Sequence, residues 1–195
     1  MAAEKKENDD EAPEETAGYK VAAKKGVDDI MNLHKDDKSL QKYKEQLMGG
    51  AKDKIIDEND KRQVFFDALV IEPEGQKPIE LDPSKCDANT LAFTLKEKAK
   101  YRVVVKFRVQ REIVLGLKRF VVIKRKGIKV DKSTDMMGSF APDAKKTYEN
   151  PFPQEIVPDG MLARGTYTAK TQFIDDDKTV HLDFSYQFKI AKDWA

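Results

Sequence analysis

From Val64 onward, apolar side chains recur at every second position in run after run, a spacing that predicts strands with one face turned inward. The clearest early case is Tyr101 to Val109. Tyr101, Val103, Val105, Phe107 and Val109 point one way, and Arg102, Lys106, Arg108 and Gln110 the other, as in a half-buried antiparallel strand. Arg62 to Ile71 predicts a strand closed by the turn residues Glu72-Pro73-Glu74-Gly75. Ile79 and Leu81 form a short edge piece ended by Pro83, and Thr90 to Leu95 predicts a further strand. Phe120 to Ile123 is a continuous apolar run, expected in the middle of a sheet, and it stops at Arg125-Lys126-Gly127. Between Gly138 and Gly160, Pro142, Pro151, Pro153 and Pro158 remove ladder donors, so that stretch is expected to be loop with short edge strands. The last two strands read as a hairpin, Leu162 to Phe173 and Val180 to Ile190, joined by the turn Asp175-Asp176-Asp177-Lys178. About eight or nine short strands without interleaved helices predict an all-β fold, an antiparallel immunoglobulin-like β-sandwich.

Before Val64 the pattern is weaker and helical. Val27, Ile30, Met31 and His34 recur at spacings of three and four, and Lys35-Asp36-Asp37-Lys38 interrupts them. Asp36 or Asp37 is placed to cap a second helix, in which Leu40, Tyr43, Leu47 and Met48 share a face, and Gly49-Gly50 ends it. Helices of about three turns are marginal alone in water. Such a hairpin either packs permanently on the β domain or folds on a partner. Glu4 to Glu15 is acidic and poor in apolar residues, the composition of a disordered stretch, either a solubilising tail or an attractor for a basic partner. Lys52 to Lys61 reads as a polar linker. The expected organisation is therefore a flexible, partly helical arm over residues 1–60 and a β domain over residues 61–195. An arm on a compact β domain is the layout of a binding module.

Composition narrows the function classes. Charged residues make up 36% of the chain, yet the net charge is +1, which argues against general nucleic-acid binding. Cys86 is the single cysteine, so neither an intrachain disulfide nor a cysteine-rich zinc site can form, as suits a reducing compartment. Met1 to Glu15 has no apolar run of a signal peptide, no stretch is apolar enough to span a bilayer, and Lys192-Asp193-Trp194-Ala195 has no prenylation cysteine. These features predict a cytoplasmic protein that is neither lipidated nor stably inserted in membranes. No catalytic constellation is visible. His34 and His181 lack a neighbouring nucleophile and read as surface residues. Asp175 to Asp177 lacks calcium-loop spacing, and Gly49-Gly50 lacks the Lys-Ser/Thr of a phosphate loop. The many cations from Lys96 to Lys132 read as the solvated face of a sheet, without the interleaved aromatics that stack bases. The expectation is a protein without enzymatic activity, cofactor or metal.

Several segments together carry a family resemblance. They are Lys35-Asp36-Asp37-Lys38-Ser39-Leu40 with Lys42-Tyr43-Lys44-Glu45, then Phe107-Arg108-Val109 followed by Arg111-Glu112-Ile113-Val114 and Gly116, and Arg125-Lys126-Gly127. Met161-Leu162-Ala163-Arg164-Gly165, Asp175-Asp176-Asp177-Lys178-Thr179 with His181-Leu182, and Lys192-Asp193-Trp194 follow in order. In this order and spacing the chain resembles the Rho GDP-dissociation inhibitors, from about Tyr19 to Trp194. The resemblance implies an immunoglobulin-like sandwich that shelters the isoprenoid (geranylgeranyl or farnesyl) of prenylated Rho-family GTPases, mainly GDP-bound, and an arm that folds over their switch regions. It implies extraction of the GTPase into a soluble complex, with a monomer when free. By position, Tyr19, Asp37, Ser39, Leu40, Tyr43 and Leu47 of the arm and Asp177 of the sandwich would meet the GTPase. Leu69, Phe93, Ile113, Ala169, Phe184 and Tyr186 would form the prenyl pocket, though strand alternation alone leaves core packing open for each. Family members often carry tryptophan where this chain has Phe184 and Tyr186, and a larger aliphatic at Ala169. The alternative is an immunoglobulin-like interaction domain without a lipid pocket.

Overall fold

The computed structural model describes residues 54–194. They form two sheets packed face to face. The ten strands are β1 (Val64–Pro73), β2 (Ile79–Leu81), β3 (Leu91–Lys96), β4 (Lys100–Val109), β5 (Val114–Arg125), β6 (Ile128–Phe140), β7 (Tyr148–Pro151), β8 (Glu155–Ile156), β9 (Gly165–Ile174) and β10 (Val180–Ala191). One sheet runs β2-β1-β4-β7 with β8 also on β4, and the other β3-β10-β9-β5-β6. All pairings are antiparallel except β3 on β10, which is parallel. The sandwich expected from the alternation is thus present, with one parallel edge.

The inward faces follow the period-two pattern, with bulges where it shifts. In β1 the register slips at Asp67, between Phe66 and Ala68. The extra residue lets Phe66 pack on Phe173, ring centroids 4.3 Å apart, while Leu69 and Ile71 stay in the core. Outside, Ala68, Val70 and Val104 form a small apolar cluster, and the charged pairs Arg102–Glu72 and Arg108–Asp67 lie across the same two strands. Such exposed pairs contribute little to stability.

The interior is filled unevenly. At the end where β4 finishes, Phe107 meets Phe140 edge-on at 4.8 Å and stacks on Tyr148 at 5.6 Å, beside Phe66 and Phe173. These rings plug that end. At the other end the inner face of β9 carries Ala169, where the plugged end has Phe173, and the sheets part around open volume.

Three features depart from the sequence expectation. The strand β6 is a thirteen-residue edge strand over a segment to which the pattern assigned none. The polar stretch before β1, read as a linker, is fastened to the sandwich over its described part. Gln110, expected on the polar face, is 0% exposed beneath that stretch. Its amide oxygen accepts from the backbone of Ile56 and Asp57 (2.9 and 3.0 Å), and its amide nitrogen donates to the carbonyls of Asp60 and Arg62 (2.8 and 2.7 Å). The Arg111 guanidinium adds bonds to the carbonyls of Asp57, Glu58 and Asp60. All the bonding capacity of a buried amide is used, as burial demands.

Candidate functional site

The unfilled end of the sandwich holds two adjoining cavities. One, of about 290 Å³, lies between the sheets, where Phe93, Ala169 and Tyr186 face Ile71 and Val103. The other, of about 390 Å³, continues outward past Leu95, Tyr167 and Phe188 to Val130 and Ile156. Leu95, Tyr101, Ile123, Asp131, Glu155 and Phe188 line both, so the two adjoin as one passage. The larger volume alone falls within the range of small-molecule sites.

Local sequence explains the opening. Alternation on β10 turns Tyr186 and Phe188 inward, and on β9 it turns Tyr167 and Ala169 inward. The rings stack along the wall: Phe93 on Phe188 at 5.7 Å, and Phe188 on Tyr167 at 5.3 Å. Ala169 pairs with Tyr186 in register, so a small side chain sits beside a large one and leaves space above it. The Tyr167 hydroxyl donates to the carbonyl of Ala163 (2.6 Å), which fixes its ring against the wall.

The polar groups sit at the rim and the β6 side. The Tyr101 hydroxyl donates to Glu155 at 2.5 Å, and burial together with that carboxylate pushes its ionisation far above the ordinary tyrosine value. Tyr186 is raised as well, chiefly by burial. Arg119 lines the inner cavity and is buried, contrary to the solvated face expected for the cations of this region. It donates to Asp135 at 2.7 and 3.1 Å, and its guanidinium lies 3.7 Å from the centre of the Phe152 ring. A paired, stacked arginine is one of the few ways to carry charge next to an apolar interior. The sequence held a signal for it: Arg119 falls on the same face of β5 as Val121 and Ile123, two residues apart each time.

The predicted prenyl residues separate into two groups. Phe93, Ala169 and Tyr186 come together around the inner cavity. Leu69 and Phe184 are in the packed core, with Phe184 5.8 Å from Tyr186, and Ile113 is half-buried just before β5, at the plugged end. Lining residues not among the expected prenyl contacts are Tyr101, Ile123, Tyr167 and Phe188.

The turn bearing Asp177 lies at the plugged end. The amide of Asp176 donates to the carbonyl of Leu115 (3.0 Å), and its carboxylate rests on Gly116, which has φ +59°. A Cβ there would fall 1.9 Å from the carboxylate oxygen, so glycine is required by both space and backbone. Asp175 accepts from the Thr179 amide and contacts the His181 ring, each at 2.8 Å. The side chains of Asp175 and His181 are each 4% exposed, so His181 is a buried partner of this turn and not the surface residue expected. Tyr19, Asp37, Ser39, Leu40, Tyr43 and Leu47 lie outside the described residues. Among the described residues no group of three acidic, histidine or cysteine side chains is arranged to hold a metal, and no helix is long and apolar enough to cross a membrane.

Fold and cavity define the class: a β-sandwich with a slot between its sheets, open at one end, aromatic along one wall and polar along the β6 side and rim. The family model of the RHO protein GDP dissociation inhibitor matches residues 3–193. The chain is 41% identical over 189 residues to Rho GDP-dissociation inhibitor 1 of Homo sapiens, covering 95% of this chain and 91% of that protein. It is 41% identical over 184 residues to the Rho GDP-dissociation inhibitor of Saccharomyces cerevisiae, covering 89% and 90%. With that of Schizosaccharomyces pombe identity is 34% over 194 residues, covering 96% and 93%. The chain belongs to the Rho GDP-dissociation inhibitor family.

Proposed function

We propose that this protein inhibits GDP dissociation from Rho-family GTPases and withdraws them from membranes by sheltering their C-terminal isoprenoid in the inter-sheet slot. The observation that carries the lipid part is the aromatic wall of the passage, formed by Phe93, Tyr167, Tyr186 and Phe188. Phe93, Ala169 and Tyr186 are the first contacts for the chain, and Leu69, Ile113 and Phe184 become contacts only if it pushes deeper than the open volume. The protein acts in the cytoplasm, as a monomer when free, on GDP-bound prenylated partners, and as a regulator without catalysis of its own.

Magnitudes constrain the mechanism. Burying a chain of 20 carbons is worth at most ~16 kcal/mol at ~0.8 kcal/mol per methylene, and the bilayer offers nearly the same. Extraction therefore depends on protein contacts. We assign them to Asp177 on its turn and, in the arm, to Tyr19, Asp37, Ser39, Leu40, Tyr43 and Leu47. To slow GDP release those contacts must favour the nucleotide-loaded state, because a ligand indifferent to the two states shifts nothing. A pull-down with prenylated and unprenylated forms of one Rho-family GTPase tests the reading. Strong retention of the prenylated form alone is expected. Equal retention of both would leave the slot without a role and favour a plain interaction domain.

A further inference from the structure

The two ends of the sandwich differ in character. The root of the arm at Gln110 and Arg111 and the turn bearing Asp177 share one end. The twelve residues of β5 lead from there to the slot's open end, roughly 36 Å away. At that far end β5 and β6 are joined by Lys126-Gly127, both with positive φ, in a tight projecting hairpin. From Lys124 to Lys132 this hairpin carries five cations and one acid, Asp131.

Apolar side chains stand exposed beside those cations. Ile128 at the hairpin tip is 71% exposed, and Met161 and Leu162 in the neighbouring loop are 83% and 89% exposed. The loop and hairpin are tied together, because Arg125 donates to the carbonyls of Leu162 and Arg164. Glu97 holds the loop from behind, accepting from Gly160 and Arg164. Of the acids at the opening, Glu155 is engaged by Tyr101 and Asp159 by Lys98 at 3.2 Å, while Asp131 lines both cavities beside the cations of the hairpin. Large exposed apolar residues beside cations, set at the mouth of an aromatic-walled slot, suit a surface that is oily below and anionic above.

We propose that this end of the sandwich, with Ile128, Met161 and Leu162 as the apolar points and Lys126 among the cations, docks transiently on the anionic surface of a lipid bilayer, so that the slot opens onto the membrane from which the isoprenoid is drawn. The inference rests on the lipid-sheltering reading above and adds the surface that presents the slot to its source.

The test uses the full chain and vesicles of phosphatidylcholine with or without one-quarter phosphatidylserine. The readouts are the rate at which a prenylated Rho-family GTPase leaves the vesicles and flotation of the protein alone. Solution binding of a prenyl-cysteine analogue is measured in parallel. The double substitution Met161→Asp and Leu162→Asp should slow extraction about tenfold and leave analogue binding unchanged. Lys126→Glu should lower flotation with the serine-containing vesicles at least about fivefold, with little change on phosphatidylcholine alone. Equal extraction rates for wild type and variants, with the analogue still bound, would overturn the docking alone. An equal loss of affinity for the detergent-solubilised GTPase would assign the patch to the GTPase instead. A wild-type dimer abolished by the substitutions would assign it to a second copy. If the wild-type protein binds no analogue, the lipid reading falls first and the docking with it.

Discussion

Ala169 and Phe173 lie four residues apart on the inner face of β9, and the difference in their size helps decide where the sandwich is hollow. Ala169→Phe should fill the inner cavity. Overpacking of this kind costs about 1–3 kcal/mol at most sites, less where space is already open. The protein should therefore stay folded while its affinity for a prenyl-cysteine analogue falls more than about tenfold, the equivalent of ~1.4 kcal/mol; titration by tryptophan or ligand fluorescence, with a melting curve alongside, reads both. Tyr101 at the rim is a second residue-scale lever. Its ionisation lies at 10.0 in the unfolded chain and is raised in the fold by burial and by Glu155. A group raised in this way contributes its full stability below pH 10 and loses it as pH climbs toward the folded value. Tyr101→Phe should cost about 1 kcal/mol at neutral pH for the lost hydrogen bond. It should also flatten the fall in stability above pH 10, as seen in denaturant melts from pH 8 to 11. Neither role is legible from alternation, because period two tells inward from outward but not a filled interior from an empty one. Gln110 misleads in the opposite direction: it sits on the polar face, yet the chain before β1 folds over that face and buries it.

Among the elements, those with alternating apolar residues were legible: β1, β4, β9 and β10 all appear within a few residues of their expected bounds. The edge strand β6 was not. Lys129, Asp131, Lys132 and Asp135 give it the charge that keeps an exposed edge from pairing with another chain, and that same charge hides the apolar signal of a strand. The parallel pairing of β3 with β10 is likewise set by tertiary packing and leaves no local mark. The turn after β9 was legible as a turn, but its docking was not, because the contact of Asp176 with Gly116 joins residues sixty positions apart. That contact makes Gly116→Ala informative. A left-handed backbone costs an alanine roughly 1–2 kcal/mol, and the new methyl must also push the Asp176 carboxylate away. The expected result is a loss of about 2–3 kcal/mol in stability and weaker binding of a Rho-family GTPase, since the displaced turn carries Asp177. Unchanged GTPase affinity in a destabilised but folded variant would remove Asp177 from the interface.

For the whole molecule the decisive geometry is where the chain joins the sandwich. Among the described residues the polar stretch read as a linker is attached from Lys54 on, whose carbonyl accepts from the Arg111 amide at 2.9 Å. Two truncations therefore separate two roles. Removing residues 1–53 keeps all four bonds of the Gln110 amide, so the sandwich should melt within about 1 kcal/mol of the full chain and still bind a prenyl-cysteine analogue. If the arm carries the inhibitory contacts, the same protein should barely slow GDP release. Removing residues 1–62 strips Gln110 of every side-chain partner it has. That stretch is also what covers Gln110, so its removal opens the amide to water and the loss is the net worth of the bonds, about 0.5–1.5 kcal/mol each; the longer truncation should melt earlier. GDP release should be alike in the two truncations, because both lack the arm, while stability should differ. If the shorter truncation inhibits GDP release as well as the full chain, the switch contacts belong to the sandwich and the arm loses its proposed role. If the two melt together, the clamp at Gln110 and Arg111 holds the segment in place without stabilising the fold, and the arm is anchored more loosely than its hydrogen bonds suggest.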